Sequence, residues 1–168
     1  MEKSAYFNSE DIEGWPSAEE LRPFFIAPPG REWFSRTGND TGGFDVKGLY
    51  GTENGIEFKT RIDAKLGLYG IPGLGVLIVY DRYGGGYHDE YTSVGDMSRL
   101  NEWVENLHRT KLPVGLFIPF PRAYNAVKEF IETDGELPKC IEWVANKDLP
   151  YGTFPDPAVE LEERFVKD

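Results

Sequence analysis

The sequence predicts an α+β fold, in which a mostly antiparallel β-sheet has two or three helices packed on one face. Short segments alternate apolar and polar residues, as half-buried strands do, and one later segment has the apolar spacing of a helix. Strands and helices do not alternate regularly along the chain, which disfavours a parallel sheet. A chain of 168 residues is about one domain long. We expect a single domain over 1–168, with a loop-rich N-terminal part (1–43), a sheet-and-helix core (44–146) and an acidic tail (147–168).

The N-terminal part contains few regular elements by its sequence. Residues 4–8 are predicted as a short strand. Ser17 followed three residues later by Glu20 is a capping box, which predicts a helix that Pro23 ends. Residues 27–43 are rich in Pro, Gly, Asn and Asp, and they are predicted as irregular loop.

The first half of the core is predicted to be β-structure. Residues 44–50 and 55–62 are predicted as paired strands, and Ile56 and Phe58 of the second would share one side of it. The most apolar stretch, residues 74–80, is predicted as a central strand. A glycine-rich turn then leads into a returning strand at residues 87–92.

The second half of the core mixes helices and short strands. Ser98 is predicted to cap a helix that carries Leu100, Trp103, Val104 and Leu107 at helical spacing. Residues 115–118 are predicted as a short strand. A helix is then predicted from Pro121 to about Thr133, with an inward face made of Ala123, Ala126, Val127, Phe130 and Ile131.

The final strand of the core is predicted at residues 140–144, headed by Cys140. From their positions on apolar faces, we expect Trp103, Phe130 and Trp143 to be largely buried.

The charge of the chain restricts its partners. The formal net charge of −11 disfavours binding to a nucleic-acid backbone or to an anionic membrane surface. It suits a basic protein partner, although the same charge also serves simply to keep a protein soluble. Residues 1–8 lack the charged and apolar regions of a secretory signal, so we expect none, and the longest apolar run, residues 76–80, is too short to cross a bilayer. With a single cysteine, Cys140, a reducing cytoplasmic location is expected.

Few residues suit catalysis or metal binding. His88 and His108 lack the spacing of a metal motif, and one cysteine with two histidines is too few for a structural zinc site. Cys140 heads an apolar strand, so it is interpreted as a structural thiol. The glycine-rich residues 70–75 precede a strand, whereas a phosphate-binding loop follows one. We therefore expect no catalytic residue, no metal and no cofactor.

The predicted hairpin at residues 81–92 carries the candidate site. Its acids could lie within the roughly 5–10 Å that glycoside hydrolysis uses, but solvated hairpin charges are the simpler interpretation. Its tyrosines either pack across the strands or offer contact area to a partner protein. The predicted partner-binding residues are Asp81, Tyr83, Tyr87, Asp89, Glu90 and Tyr91. Three N-terminal acids form a second candidate surface: Glu10, Asp11 and Glu13.

The order of segments from residue 74 to about residue 146 resembles the type 1 family of immunity proteins of bacterial polymorphic toxin systems. In that family a tyrosine-rich strand is followed by a Ser-x-Gly turn, a strand ending in Pro, an amphipathic helix ending in Phe, a Gly, and a closing strand with Glu-x-Trp or Thr-Trp. The residues that carry the resemblance are Ser93, Gly95, Pro119, Phe130, Gly135 and Trp143. The long N-terminal part and the predicted helix at 98–109 depart from the family pattern.

The resemblance implies a function in competition between bacteria. Such proteins bind a cognate toxin domain, often a deaminase or nuclease acting on nucleic acid, and occlude its active site. The resemblance marks core positions and does not identify toxin contacts. The alternatives are an intracellular adaptor with a different protein partner and a hydrolase that uses Asp81, Asp89 and Glu90.

Overall fold

The structure is a computed structural model that describes residues 1–7, 14–33 and 41–155. Within these ranges the chain forms nine strands and two α-helices. The helices are α1 (Ala18–Phe25) and α2 (Phe120–Glu132). The strands are β1 (Glu2–Tyr6), β2 (Thr41–Lys47), β3 (Asp63–Ile71), β4 (Gly75–Gly84), β5 (Tyr87–Ser93), β6 (Trp103–Glu105), β7 (Lys111–Pro113), β8 (Phe117–Ile118) and β9 (Trp143–Ala145).

Seven of these strands form one antiparallel sheet in the order β1-β2-β3-β4-β5-β9, with β8 paired to the first half of β4. Strands β6 and β7 form a separate two-stranded ribbon. The architecture confirms the predicted α+β fold with a mostly antiparallel sheet. The apolar stretch predicted as the central strand lies in β4, which pairs with β3, β5 and β8.

The two α-helices pack on one face of the sheet and enclose the main core. Helix α2 buries four of its five predicted inward residues, and Ile131 is partly buried at its margin. Phe130 is fully buried between the rings of Phe44 and Tyr80. Tyr80 also donates a hydrogen bond of 2.8 Å to the carbonyl of Gly135, just beyond the end of α2. The helix is thereby tied to the central strand.

Helix α1 begins with the predicted capping box but does not end at Pro23. The Ser17 hydroxyl accepts from the Glu20 amide, and the Glu20 carboxylate accepts from the Ser17 amide. Pro23 lies inside the helix, which continues to Phe25. Because Leu21 and Phe25 are both buried in the core, packing of the last turn offsets the hydrogen bond that proline removes.

The strand predicted at residues 55–62 is wrong. This segment forms turns, and strand β3 begins after it at Asp63. Ile56 and Phe58, expected to face the core, are 62% and 65% exposed. Buried Asp63 marks the change to strand, since it accepts from the Gly48 amide and from the Arg61 guanidinium. The alternation of apolar and polar residues at 55–62 therefore occurs in a segment that has no partner strand.

The helix predicted after Ser98 is also wrong. Asp96, not Ser98, caps a single 3-10 turn, and the ribbon of β6 and β7 follows. Trp103 lies on β6 and is 43% exposed, so its predicted burial is wrong as well. The ribbon covers the other face of the sheet beside the first half of β4, where a second apolar cluster contains Leu77, Leu112, Leu116 and Phe117. Of the four residues at helical spacing, Leu100 and Val104 pack against this second cluster, whereas Trp103 and Leu107 are exposed.

The final strand is shorter than predicted. It covers Trp143–Ala145 and pairs with β5, while Cys140 precedes it and is exposed. Trp143 is partly buried against the core, and its indole donates a hydrogen bond of 2.7 Å to the carbonyl of Pro138. The prediction that Cys140 heads an apolar strand is therefore wrong.

Candidate protein-binding site

The six predicted partner-binding residues all lie on the β4–β5 hairpin, but on two different faces of the sheet. Because successive residues of a strand point to opposite faces, Asp81, Tyr83 and Glu90 lie opposite the helices. Asp89 and Tyr91 lie on the helix side, where Tyr91 packs against the core. Tyr87 lies beside the turn, is 77% exposed, and lines the same hollow as Asp81, Tyr83 and Glu90. The structure therefore brings together four of the six predicted residues.

A row of charged side chains crosses the sheet on the face opposite the helices, which we call the open face. The strand register places Asp45, Lys65, Asp81 and Glu90 side by side on β2, β3, β4 and β5. Neighbouring strands lie about 4.8 Å apart, so these side chains are within reach of one another. The ribbon of β6 and β7 packs beside the first half of β4 and leaves this row, which crosses the second half, accessible. Three acids and one base make the row net negative.

The acidic end of the row forms a hydrogen-bonded cluster. His88 Nε2 lies 2.9 Å from Asp81 Oδ1. The Asn146 amide nitrogen donates to Glu90 Oε1 at 2.6 Å, and the Thr92 hydroxyl donates to Asn146 Oδ1 at 2.6 Å. One ligand atom each of Asp81, His88 and Glu90 lies within 4.8 Å of the other two. These donor types suit a divalent metal, but exposed acids often gather without one, and we assign no metal here.

The fold disfavours the charged form of the Glu90 carboxyl. Partial burial and then the neighbouring Asp81 raise the pKa of this carboxyl above its usual value, although His88 and Asn146 act in the opposite direction. A carboxylate kept where the fold disfavours its charge is typical of a functional position.

Replacing Glu90 with the isosteric glutamine should raise the stability of the protein at neutral pH. A carboxyl whose folded pKa is raised costs stability once the pH rises through the window above its ordinary value of about 4.3. In Glu90→Gln that cost is absent, whereas the hydrogen bond from Asn146 can be kept. Urea denaturation at several pH values should show an advantage for the variant at pH 7 that shrinks towards pH 4. An advantage independent of pH would contradict the explanation.

Aromatic side chains flank the acidic cluster. The ring of Tyr83 stacks on Phe58 at 5.2 Å between centroids, and the Lys65 amine lies 5.8 Å from the Tyr83 ring. Phe58 and Tyr87, both largely exposed, line a hollow of 580 Å³ beside this cluster. Exposed aromatics next to charges are common at protein interfaces. The alternation of residues 55–62 placed Phe58 in the core, so the sequence held no signal for this role.

A second hollow, which we call the Gly67 groove, lies along the open face and has a volume of 430 Å³. It shares Lys65, Asp81 and Glu90 with the first hollow. The open-face residues that line it on the four strands β1–β4 include Tyr6, Gly43, Asp45, Lys65, Gly67, Tyr69, Val79 and Asp81. Tyr6 and Asp45 were not among the predicted site residues, because nothing in their local sequence places them beside the hairpin.

The predicted hydrolase site does not assemble as three acids. Asp89 lies on the opposite face from Asp81 and Glu90. Cys140 offers no better nucleophile, since partial burial of the thiol and the nearby Glu129 carboxylate raise its pKa and disfavour the thiolate. The second candidate surface, Glu10, Asp11 and Glu13, lies outside the described residues, as do residues 156–168 of the acidic tail.

A sequence model of the family described as Immunity protein Imm1 matches residues 50–145, which is more than half of the chain. This chain belongs to the Imm1 immunity protein family. The match confirms the resemblance seen at residues 74–146 and extends it towards the N terminus. Neither the curated proteins nor the solved structures contain a match to this chain. In the described ranges, the structure has no helix with the length and apolar character needed to span a membrane.

The residues that carried the Imm1 resemblance have structural roles. The Ser93 hydroxyl donates to the Leu116 carbonyl at 2.7 Å and accepts from the Ile78 amide at 3.0 Å, so it joins β4 to the segment before β8. A Cβ on Gly95 would lie 2.1 Å from the carbonyl oxygen of Phe117, which only glycine avoids. These positions hold the Imm1 core together, and the open-face row lies elsewhere on the surface.

Proposed function

We propose that this Imm1 protein binds a cognate toxin domain and neutralises it by covering the toxin's active site with the open face of its sheet. The observation that carries the proposal is the row of Asp45, Lys65, Asp81 and Glu90, which is net negative and accessible. Asp81, Tyr83 and Glu90, with Tyr87 at the hairpin end, supply the contact residues on the hairpin.

The charge of the chain favours a toxin that acts on nucleic acid. A deaminase or nuclease needs a basic cleft to hold a phosphate backbone. A protein of net charge −11 would be steered towards such a cleft, and its acidic row would replace the phosphates there. Exposed Phe58 and Tyr87 would add apolar contact area at the edge of the same surface.

We infer that the protein acts by stoichiometric binding and not by turnover. Asp81 and Glu90 are engaged by His88 and Asn146, and Asp89 faces away from them. A binding protein of this kind works where its toxin would act, and the single cysteine of the chain suits a reducing cytoplasm.

The deciding experiment is a rescue assay with the toxin domain encoded beside this chain's gene. Expression of the wild-type chain should restore growth of cells that produce the toxin, and the purified proteins should form a complex of fixed stoichiometry. Calorimetry should show weaker association as the salt concentration rises, because the Debye length falls to about 8 Å at physiological ionic strength. Rescue without complex formation would contradict stoichiometric binding. Absence of both rescue and binding would favour an adaptor with another partner.

A further inference from the structure

We propose that the Gly67 groove receives an arginine side chain of the toxin, and that Tyr6 and Asp45 help to determine which toxin is bound. This inference rests on the proposed function and names the chemistry of one contact within it. It is carried by the shape of the groove, by its charge, and by the origin of the residues that line it.

The groove exists because two neighbouring open-face positions are glycines. Gly43 on β2 pairs with Gly67 on β3, and Gly67 pairs with Val79 on β4. The ring of Tyr6 lies against Gly43, since a Cβ there would be 2.4 Å from the ring. Above Gly67 the space is open, because a Cβ would meet only the Val79 carbonyl oxygen, at 3.9 Å. The volume of 430 Å³ leaves room for a long side chain.

The charge around this space calls for a cation. The Asp45 Oδ1 atom is shielded from solvent and has no hydrogen-bond partner in the part of the chain that the structure describes. Asp81 and Glu90 lie across the groove from it. The Lys65 amine is 3.7 Å from Asp45 Oδ1 and 5.8 Å from the centre of the Tyr83 ring. Tyr83 pairs with Asp63, so Lys65 extends along β3 away from Gly67. A second cation can therefore enter over Gly67 and pair with the Asp45 carboxylate, whose side chain is 30% exposed.

Arginine fits this arrangement better than lysine does. The acids stand on both sides of β3, about two strand spacings or 9–10 Å apart, so the ligand must donate in more than one direction. A guanidinium has five donors in a plane, whereas an ammonium is a compact point charge. Guanidinium planes also stack on aromatic rings, and Tyr6 and Tyr69 both line the groove.

The residues at the edges of the groove come from outside the family match. Tyr6 and Asp45 precede residue 50, and Asn146 and Phe154 follow residue 145. Lys65, Gly67, Asp81 and Glu90 lie inside the match. The β3 and β4 side of the groove thus lies within the Imm1 match, while Gly43 and the edge residues lie outside it. Such edge residues are suited to discriminate between toxins, because they can exclude a wrong partner without changing the core.

The first test uses a small probe and needs no toxin. N-acetylarginine amide, titrated into the wild-type protein at millimolar concentration, should shift the NMR amide signals of Gly43 and Gly67 in a saturable way. N-acetylcitrulline amide, which has the same shape without the charge, should leave them unchanged. The arginine shifts should disappear in Gly67→Val, which fills the groove. Equal shifts from both probes, or none from arginine, would overturn the proposal.

Gly67→Val should keep the fold. Gly67 has no positive φ and a Cβ there meets no close atom, while valine favours strands more than glycine does. Its melting temperature should therefore equal or exceed that of wild type. If valine proves too large for the strand, Gly67→Ala provides a smaller filling of the same space.

The second test uses the toxin complex. Gly67→Val and Asp45→Asn should each weaken toxin binding by at least about tenfold, as loss of an interface anchor does. Lys65→Gln should strengthen binding, because it removes the competing cation. If the wild-type protein binds the toxin and Gly67→Val binds it equally well, the arginine groove is wrong, but the proposed function still holds. If the wild-type protein binds the arginine probe specifically but does not bind the toxin, the proposed function is wrong, but the groove remains an arginine site.

Discussion

Reversing two charges of the open-face row, in Asp81→Lys with Glu90→Lys, should weaken toxin binding by about thirtyfold or more and abolish protection of cells. Removing a partner from a shielded charge pair across an interface costs about 2–5 kcal/mol, and placing a cation against a basic cleft adds repulsion. Both acids lie in the same partly exposed cluster of the open face, which the bound toxin would shield from solvent. Calorimetry of the purified complex gives the dissociation constant, and the rescue assay gives its cellular consequence.

A matched control separates this surface from net charge alone. Asp89→Lys with Glu132→Lys makes the same change in net charge, but Asp89 faces the helix side of β5 and Glu132 lies at the exposed end of α2. This variant should slow association through weaker steering and leave the dissociation rate almost unchanged. If it weakened the complex as much as the open-face variant does, the contact surface would not be the open face.

Replacing Phe130 with alanine should lower the free energy of unfolding by about 3–5 kcal/mol, the usual cost of a cavity left by a buried aromatic residue. Phe130 is completely buried, and its ring lies 6.1–6.3 Å from those of Phe44, Trp15 and Tyr80. Helix α2 cannot easily collapse into the gap, because the Tyr80 hydroxyl holds the carbonyl of Gly135 at its end. Denaturation by urea or guanidinium, monitored by circular dichroism, measures the change.

Tyr151→Ala is the control for this prediction, because Tyr151 is fully exposed. Its free energy of unfolding should stay within about 0.5 kcal/mol of wild type. Phe130→Ala should also lower protection by reducing the amount of folded protein, with little effect on the affinity of the molecules that fold. A cost at Phe130 as small as that at Tyr151 would contradict the packing described for α2.

The elements predicted correctly are those whose signals are local and complete. Helix α2 has a helical apolar stripe with proline near its start and glycine after its end, and the hairpin of β4 and β5 has two strand patterns joined by glycines. The segments predicted wrongly lacked one such signal. Residues 55–62 alternate like a strand but form turns. Residues 98–109 have helical spacing but form a 3-10 turn and strand β6, which leave Trp103 and Leu107 exposed.

The candidate site was predicted in part, for a reason of register. The sequence identified the hairpin, but Asp89 and Glu90 are adjacent and therefore face opposite sides of the sheet. Tyr6 and Asp45 join the site only through the pairing of β1 with β2 and of β2 with β3. Such pairings join residues far apart in the chain, and no short window of sequence reports them.

The sequence by itself determined the acidic charge, the α+β class, the α2 helix, the central hairpin and membership of the Imm1 family, because composition, periodicity and motif order are properties of the chain. Only the tertiary structure decided which face of the hairpin is accessible, where Phe58 lies, and that two glycines leave a groove beside three acids. Those features depend on strand register and on which surfaces the helices and the ribbon cover. Both are set by packing between distant segments, not by local preference.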